Sequence, residues 1–324
     1  MKSRPSLKNS ARAALNSPIH PVRNTFLFSC CAIVSNGIHR KRGFLTWLVT
    51  LSFLSCGCSV YPKPNHSLNH PDESLVKIVR DEYNIPIISR LLGRTLWIYL
   101  PLQEELFVDS DKPLEYAKKF EFKSIEGTLQ NQVFSFNYDV REIPETKETQ
   151  NKKFNPRALE TMNKVLRSVR RVLFSVRRDT YAPRFFVTVT ADTKSGIEIM
   201  HTTYIDDLKK AFYEIISWSE YQHRNLEEIG LSPGAIGDLT GSHLDFRDVD
   251  FNEFLIEQIK QRLRLKFNRP EVEIGVDIDK EVLKSIKNVL EIYKVEDFSA
   301  LNLKNLVTEK AVTLSRAAVL EKIP

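Results

Sequence analysis

The sequence predicts an α+β fold, a mostly antiparallel sheet packed by several helices, within one main domain over residues 72–324. Three observations predict it. Arg184 to Asp192 (RFFVTVTAD) and Gly196 to Tyr204 (GIEIMHTTY) are runs rich in β-branched and aromatic residues, joined by Asp192-Thr193-Lys194-Ser195-Gly196, which is a hairpin pattern. Leu159, Met162, Val165, Leu166, Val169, Val172, Leu173 and Val176 recur at helical spacing behind Asn155-Pro156, an N-cap followed by proline at the first helical position. The order of elements is helix, two strands, strand, long helix, hairpin, helices, strand, helix, and not the strict strand–helix alternation of a parallel α/β sheet.

Taken in order, Asp72 to Tyr83 places Leu75, Val76, Ile78 and Val79 near helical spacing, with Asp72 and Glu73 in the first turn. Ile85 to Leu102 reads as strand, turn at Gly93-Arg94, and strand, with Thr95 to Leu100 the stronger of the two. Residues 103–130 are mixed, with a loop at Asp109-Ser110-Asp111-Lys112-Pro113. Gln132 to Val140 (QVFSFNYDV) alternates Phe134, Phe136 and Tyr138 against Val133, Ser135 and Asn137, which predicts a half-buried strand. Glu142 to Lys153, with Pro144, reads as a charged loop.

The long helix is expected to run from Pro156 to about Arg178. Asp206 opens a helix that turns Leu208, Ala211, Phe212 and Ile215 inward. Ser217-Trp218-Ser219-Glu220 is a capping box before another short helix. Gly230 to Arg247 reads as a long loop, Asp250 as the cap of a helix to Phe267, Val272 to Val276 as a short strand, Lys280 to Tyr293 as a helix, and the tail from Phe298 as one more short helix.

Charge divides the chain in two. The formal net charge is +6. Residues 1–58 hold Lys2, Arg4, Lys8, Arg12, Arg23, Arg40, Lys41 and Arg42 and no acid. That leaves 39 basic residues against 41 acidic in the remainder. The basicity belongs to the leader. A domain without a cationic surplus lacks the footprint of a phosphate-backbone binder, so no nucleic-acid partner is expected. Cysteines divide the same way: Cys30, Cys31, Cys56 and Cys58 all precede the domain. A chain of this length can bury enough surface to fold without disulfides.

The leader carries the clearest functional signal. Residues 1–25 are rich in Ser, Asn, Pro and Arg and free of acid. They read either as a transit-like segment or as sequence upstream of the natural start, the second being favoured because a complete export signal follows. Phe26 to Ile38 is apolar but too short to span a bilayer. His39-Arg40-Lys41-Arg42 is a basic region, Phe44 to Leu54 an apolar run of signal-peptide length, and Leu54-Ser55-Cys56-Gly57-Cys58 follows. This stretch resembles the signal peptide and lipobox of bacterial lipoproteins. The resemblance implies that a cysteine is lipidated and becomes the first residue of the mature chain. Cys58, behind Gly57, is the favoured site and Cys56 the alternative. It further implies a cell-membrane or outer-membrane location, with the domain facing the periplasm or exterior. Ser59 after the cysteine points to the outer membrane where the cell has one. Residues 59–71, polar with two prolines before Pro71, are expected to be the tether.

Beyond the anchor, chemistry is scarce. Neither G-x-G-x-x-G nor G-x-x-x-x-G-K-[ST] occurs, and no cofactor is expected. His243, Asp245, Asp248 and Asp250 lie in a Gly-rich loop, but their spacing fits neither a calcium loop nor a zinc site. His201, with Asp206-Asp207 and Ser195 or Ser242, offers the parts of a nucleophile, base and acid, without a G-x-S-x-G elbow. Trp97 with Tyr99, and Trp218 with Tyr221, are expected in the core. Arg167, Arg170, Arg171, Arg177 and Arg178 flank the apolar stripe of the long helix, where they either contact anionic lipid or a phosphorylated partner, or form a solvated face. The reading is a membrane-anchored envelope protein with a binding or assembly role and envelope protein partners. The alternative is an envelope hydrolase using acidic residues and His201 or His243.

Overall fold

The structure, a computed structural model, describes residues 70–175, 182–268 and 272–321. Cys56, Cys58, the leader and most of the tether lie outside them, as do Arg177 and Arg178. In chain order the elements are α1 (Pro71–Tyr83), β1 (Ile88–Leu92), β2 (Thr95–Leu102), β3 (Phe107–Gln130), β4 (Val133–Phe154), α2 (Pro156–Ser175), β5 (Phe185–Asp192) and β6 (Ile197–Tyr204). They continue with α3 (Ile205–Phe212), α4 (Trp218–Arg224), β7 (Leu226–Leu231), α5 (Phe251–Phe267), α6 (Ile278–Ile292), β8 (Ala300–Asn305), β9 (Ala311–Ser315) and α7 (Arg316–Leu320).

The fold is α+β, but the strands form two mixed sheets where the sequence suggests one. The first runs β1-β2-β5-β6-β7 and the second β3-β4-β8-β9. Each contains one parallel pair, β2 with β5 (Thr95 opposite Phe185) and β4 with β8 (Val133 opposite Ala300); the other pairs are antiparallel. Parallel neighbours need a long crossover. Between β2 and β5 the chain builds the whole β3–β4 ribbon and α2. Between β4 and β8 it returns through the first sheet before adding α5 and α6.

The first sheet is covered on both faces. Leu96, Ile98 and Leu100 of β2, with Phe186 and Ile199, pack under Leu75, Ile78 and Val79 of α1 and Val165, Val169, Val172 and Leu173 of α2. Trp97 and Tyr99, one residue out of phase, face the other way. There Val187, Val189 and Ala191 lie under Ala235 and the loop residues Leu244, Phe246 and Val249. All eight residues of β2 are therefore buried, the situation in which a strand reads as a continuous apolar run and not as an alternation.

The second sheet has a different economy of burial. Phe120, Ile125, Phe134, Phe136, Tyr138 and Val140 of the ribbon, with Leu301 and Leu303, pack against Leu255, Ile259, Leu263 and Phe267 of α5 and Val282, Ile286, Val289 and Leu290 of α6. Asn137 and Lys304 point to solvent on the far side. Each large side chain fully buried here is worth about 1.5–3 kcal/mol.

The ribbon joins the two cores. Phe107 and Phe154 at its base pack against the first core, with ring centroids 4.8 Å apart. Its middle is polar and held by cross-strand ion pairs Lys152–Asp109, Lys153–Asp111 and Lys118–Glu148. The tip turns at Asn131 and Gln132, both at positive φ (50° and 63°), as a two-residue hairpin loop requires.

Five sequence expectations are corrected. The loop expected at Asp109–Pro113 is an irregularity inside β3, where the register shifts between Asp109 and Leu114, and the charged loop Glu142–Lys153 is part of β4. Their polar composition reflects strands exposed on both faces. Val272–Val276 forms bends and turns, and the tail from Phe298 forms β8 and β9 before the short α7. β7 begins ahead of the stretch read as a long loop and takes in its first two residues, Gly230 and Leu231; with Glu227, Glu228 and Gly230 exposed, this edge strand has no apolar alternation to announce it.

Candidate functional site

The loop between β7 and α5 crosses one face of the first sheet and is organised by Asp238. Asp238 accepts hydrogen bonds from the Thr240 amide and hydroxyl (both 2.8 Å), the Gly241 amide (3.0 Å), the Ser242 hydroxyl (3.1 Å) and the His243 amide (3.1 Å). Aspartate favours such turns because its short carboxylate reaches backbone amides two or more residues on. Gly241, at φ +69°, sits where a Cβ would meet the Tyr99 ring at 3.1 Å, so glycine alone allows the loop this close to β2. Further along, Thr95 Oγ1 and the Arg94 amide donate to Asp248 (2.7 and 3.0 Å), Trp97 Nε1 donates to the Arg247 carbonyl (2.6 Å), and Tyr99 donates to the Asp238 carbonyl (2.7 Å).

His243 lies within this loop between two carboxylates. Nδ1 is 2.6 Å from Asp238 Oδ2 and Nε2 is 2.7 Å from Glu198 Oε1, with the three side chains only 8–14% exposed. Two carboxylate acceptors on one imidazole require both nitrogens to donate, which is the imidazolium form. Burial alone would push the His243 pKa down; the bonds to Asp238 and Glu198 outweigh it and raise the pKa. Burial likewise pushes Asp238 up, but hydrogen bonds from His243 and Thr240 hold its carboxyl far below the usual range. A ring so bound has no lone pair to take a proton, so the group is a buried ion triad that pins the loop to β6.

The other sequence-predicted residues are dispersed. His201 is on β6 with Ile197 and Ile199, on the helix-covered face, opposite to the face that carries Glu198 and His243. It pairs across the sheet with Glu227 (3.0 Å). Ser195 donates to Asp192 (2.5 Å) and Ser242 to Asp238, so neither hydroxyl meets a histidine. Asp248 serves the Arg94–Thr95 turn, and Asp250 caps α5 by accepting from the Asn252 and Glu253 amides. Among the described residues no group of three or more His, Cys, Asp and Glu side chains is arranged to hold a metal ion, and no helix is long and apolar enough to cross a membrane.

Asp207, in the first turn of α3, heads a second network. It is buried and accepts from Arg224 Nη1 and the Tyr293 hydroxyl, both at 2.9 Å. Arg224 and Arg262 also share Glu220, at 2.8 and 2.7 Å. Burial pushes the Glu220 carboxyl up, but bonds from Arg262 and Arg224 bring it below its ordinary value. Gln258 donates to the Arg224 carbonyl and Gln261 to the Asn225 carbonyl. Phe185, Tyr204, Phe251, Phe254 and Tyr293 surround the network, with the Arg184 guanidinium 4.2 Å from the centre of the Phe251 ring. These residues fasten α3 and α4, beside the first sheet, to α5 and α6 of the second core. A lone buried aspartate gives no sequence signal of this role; the spacing of Glu220 and Arg224, four apart on α4, was the available hint.

A third feature is on the surface. Phe212 and Ile215, expected to face inward, are 40% and 70% exposed, and Tyr213 and Trp218 are 66% and 50% exposed. The reason is the end of α3. Ile215 N donates to Lys210 O and Glu214 N to Ala211 O, with Glu214 at φ 57°, the double bond pattern of a Schellman cap. The cap ends the helix after Phe212 and swings the next residues outward. Ser217, accepting from the Glu220 amide as its capping box predicts, then starts α4. Phe174 of α2 supports the knuckle, 4.8 Å from Phe212 and 6.3 Å from Tyr213, and the Arg170 guanidinium is 4.9 Å from the centre of the Phe212 ring. Tyr221 is buried as expected; Trp218 is not.

Compared with known proteins, the chain matches no family model, no curated protein and no solved structure.

Proposed function

We propose that the chain is an envelope lipoprotein, lipidated at Cys58 (or Cys56 in the alternative register), whose domain over residues 72–324 has a binding or assembly role on the periplasmic or outer side of a membrane. The anchor half of this reading is supported by the basic, apolar and small-residue–cysteine succession from His39 to Cys58. The binding half is carried by one observation: the two histidines that would serve a hydrolase lie on opposite faces of one sheet, His201 against Glu227 and His243 between Asp238 and Glu198, while an aromatic knuckle stands exposed. A hydrolase built on acidic residues and His201 or His243 would need a histidine with a free ring nitrogen beside a nucleophile.

The anchor is tested by growing cells with a clickable fatty acid. The native chain is expected to take up label and to fractionate with membranes. Cys58→Ala is expected to lose the label, or to keep it if Cys56 is the modified residue. If the double replacement Cys56→Ala with Cys58→Ala leaves label and fractionation unchanged, the reading fails. The binding half is tested by His201→Ala with His243→Ala in cells: a phenotype equal to deletion, from a chain that still accumulates and folds, would restore the hydrolase.

A further inference from the structure

We propose that the α3–α4 knuckle is a docking surface for an anionic bilayer, so that the domain lies on the membrane through Phe212, Tyr213, Ile215 and Trp218. The inference goes beyond the lipoprotein reading and rests on the described residues alone.

The Schellman cap that exposes these residues normally comes with a contact between the residue after the left-handed position and the last turn of the helix. Ile215 occupies that position and is nevertheless 70% exposed. The left-handed position itself holds Glu214 rather than glycine. Tyrosine and tryptophan, amphipathic at the ring edge, are the residues that settle at the headgroup level of a bilayer. The high exposure of Tyr213 and Ile215 marks a protruding turn. Four side chains on such a turn present far less than the roughly 800 Å² per partner of a stable protein interface, but a bilayer accepts a convex apolar tip.

The charge around the tip has the matching sign. The described α2 carries Arg157, Lys164, Arg167, Arg170 and Arg171 against Glu160. Lys164 pairs with Glu160 and Arg171 with Glu82. Arg167, Arg170 and Lys209 have no carboxylate within ion-pair distance among the described residues. Glu214 is the acid within the turn, and it is exposed. Cations beside aromatic rings at a surface are the arrangement that anionic headgroups attract.

The test uses the full chain with Cys30, Cys31, Cys56 and Cys58 replaced by Ala, which leaves no thiol, and a polarity-sensitive dye on Ile215→Cys or, as control, on Thr313→Cys of β9. Vesicles are phosphatidylcholine alone or mixed with phosphatidylglycerol. The dye at position 215 is expected to shift blue and brighten severalfold on the anionic vesicles only, while the dye at 313 stays in water. Arg167→Glu with Arg170→Glu is expected to weaken that response about tenfold, the effect of losing one to two cationic contacts with anionic lipid. No change at 215 on vesicles with which the chain co-sediments overturns the proposal, and so does an equal response on phosphatidylcholine alone. A blue shift without vesicles that grows with protein concentration also overturns it, in favour of a contact between copies. Because the chain used carries no lipidation site, none of these outcomes depends on fatty-acid labelling, and the anchor can fail or stand separately.

Discussion

The two cores bury similar side chains under different constraints. The first sheet is roofed on one side by α1 and α2 and floored on the other by the loop from Ser232 to Asp250. The second is covered on one side only, by α5 and α6. A strand covered twice has no solvent face to mark, and Thr95–Leu102 accordingly shows no alternation. A strand covered once alternates, as Phe134, Phe136 and Tyr138 do. The loop over the first sheet is therefore structural cover, held down by buried charge where the second core uses helices. The Asp207 network matters for the same reason: with the ribbon and the aromatic cluster of Phe185, Phe254 and Tyr293, it joins the two cores.

That picture can be broken most sharply at the junction. Asp207→Ala takes from the buried Arg224 one of its two carboxylate partners, leaving Glu220, and removes the acceptor of Tyr293, so a loss of about 3–5 kcal/mol is expected in urea unfolding. Next come the cores themselves. Leu96→Ala and Leu263→Ala, each fully buried, should each cost about 2–5 kcal/mol while moving one shared unfolding transition. Two separated transitions would show that the junction does not couple the cores.

The floor is tested by Asp238→Ala, which strips the loop of its organising acceptor. A loss of about 1–3 kcal/mol is expected, with new protease cleavage between Ser232 and Asp250 while the second core keeps its amide protection. The same ion triad sets a pH dependence. His243 has a raised folded pKa, so its contribution is complete below the unfolded value of about 6.5 and is lost as pH rises through the folded value. Asp238 has a depressed pKa, so its contribution is complete above about 3.9 and is lost as pH falls through its folded value. The loop is thus held best between these limits, and in His243→Gln the alkaline loss of loop protection should vanish. The smallest effect is expected at the surface: Arg171→Ala breaks the exposed pair with Glu82 and should cost less than about 1 kcal/mol.

Much of the fold was legible because local chemistry and burial agreed. The hairpin Phe185–Tyr204 follows from two adjacent β-rich runs and the short turn between them, and the Asn155-Pro156 start of α2 and the caps Ser217 and Asp250 follow from residues within four positions of one another. The parallel pairings were not legible, since nothing in Thr95–Leu102 names Phe185–Asp192 as a neighbour some ninety residues away. The ribbon's outer strands hid because residues exposed on both faces carry neither period. At the sites, His243 was visible as a residue type, but its partner Glu198 is 45 residues distant in sequence and its partner Asp238 was hidden in a loop. The knuckle was misread because Phe212 and Ile215 keep helical spacing past the point where Glu214 turns left-handed.

Intact mass spectrometry of the mature chain tests the proposed anchor most directly. The predicted result is an N-terminus at Cys58, heavier by a diacylglyceryl thioether and an N-acyl chain. A mature chain that begins at a residue other than cysteine, or at an unmodified cysteine, would contradict it.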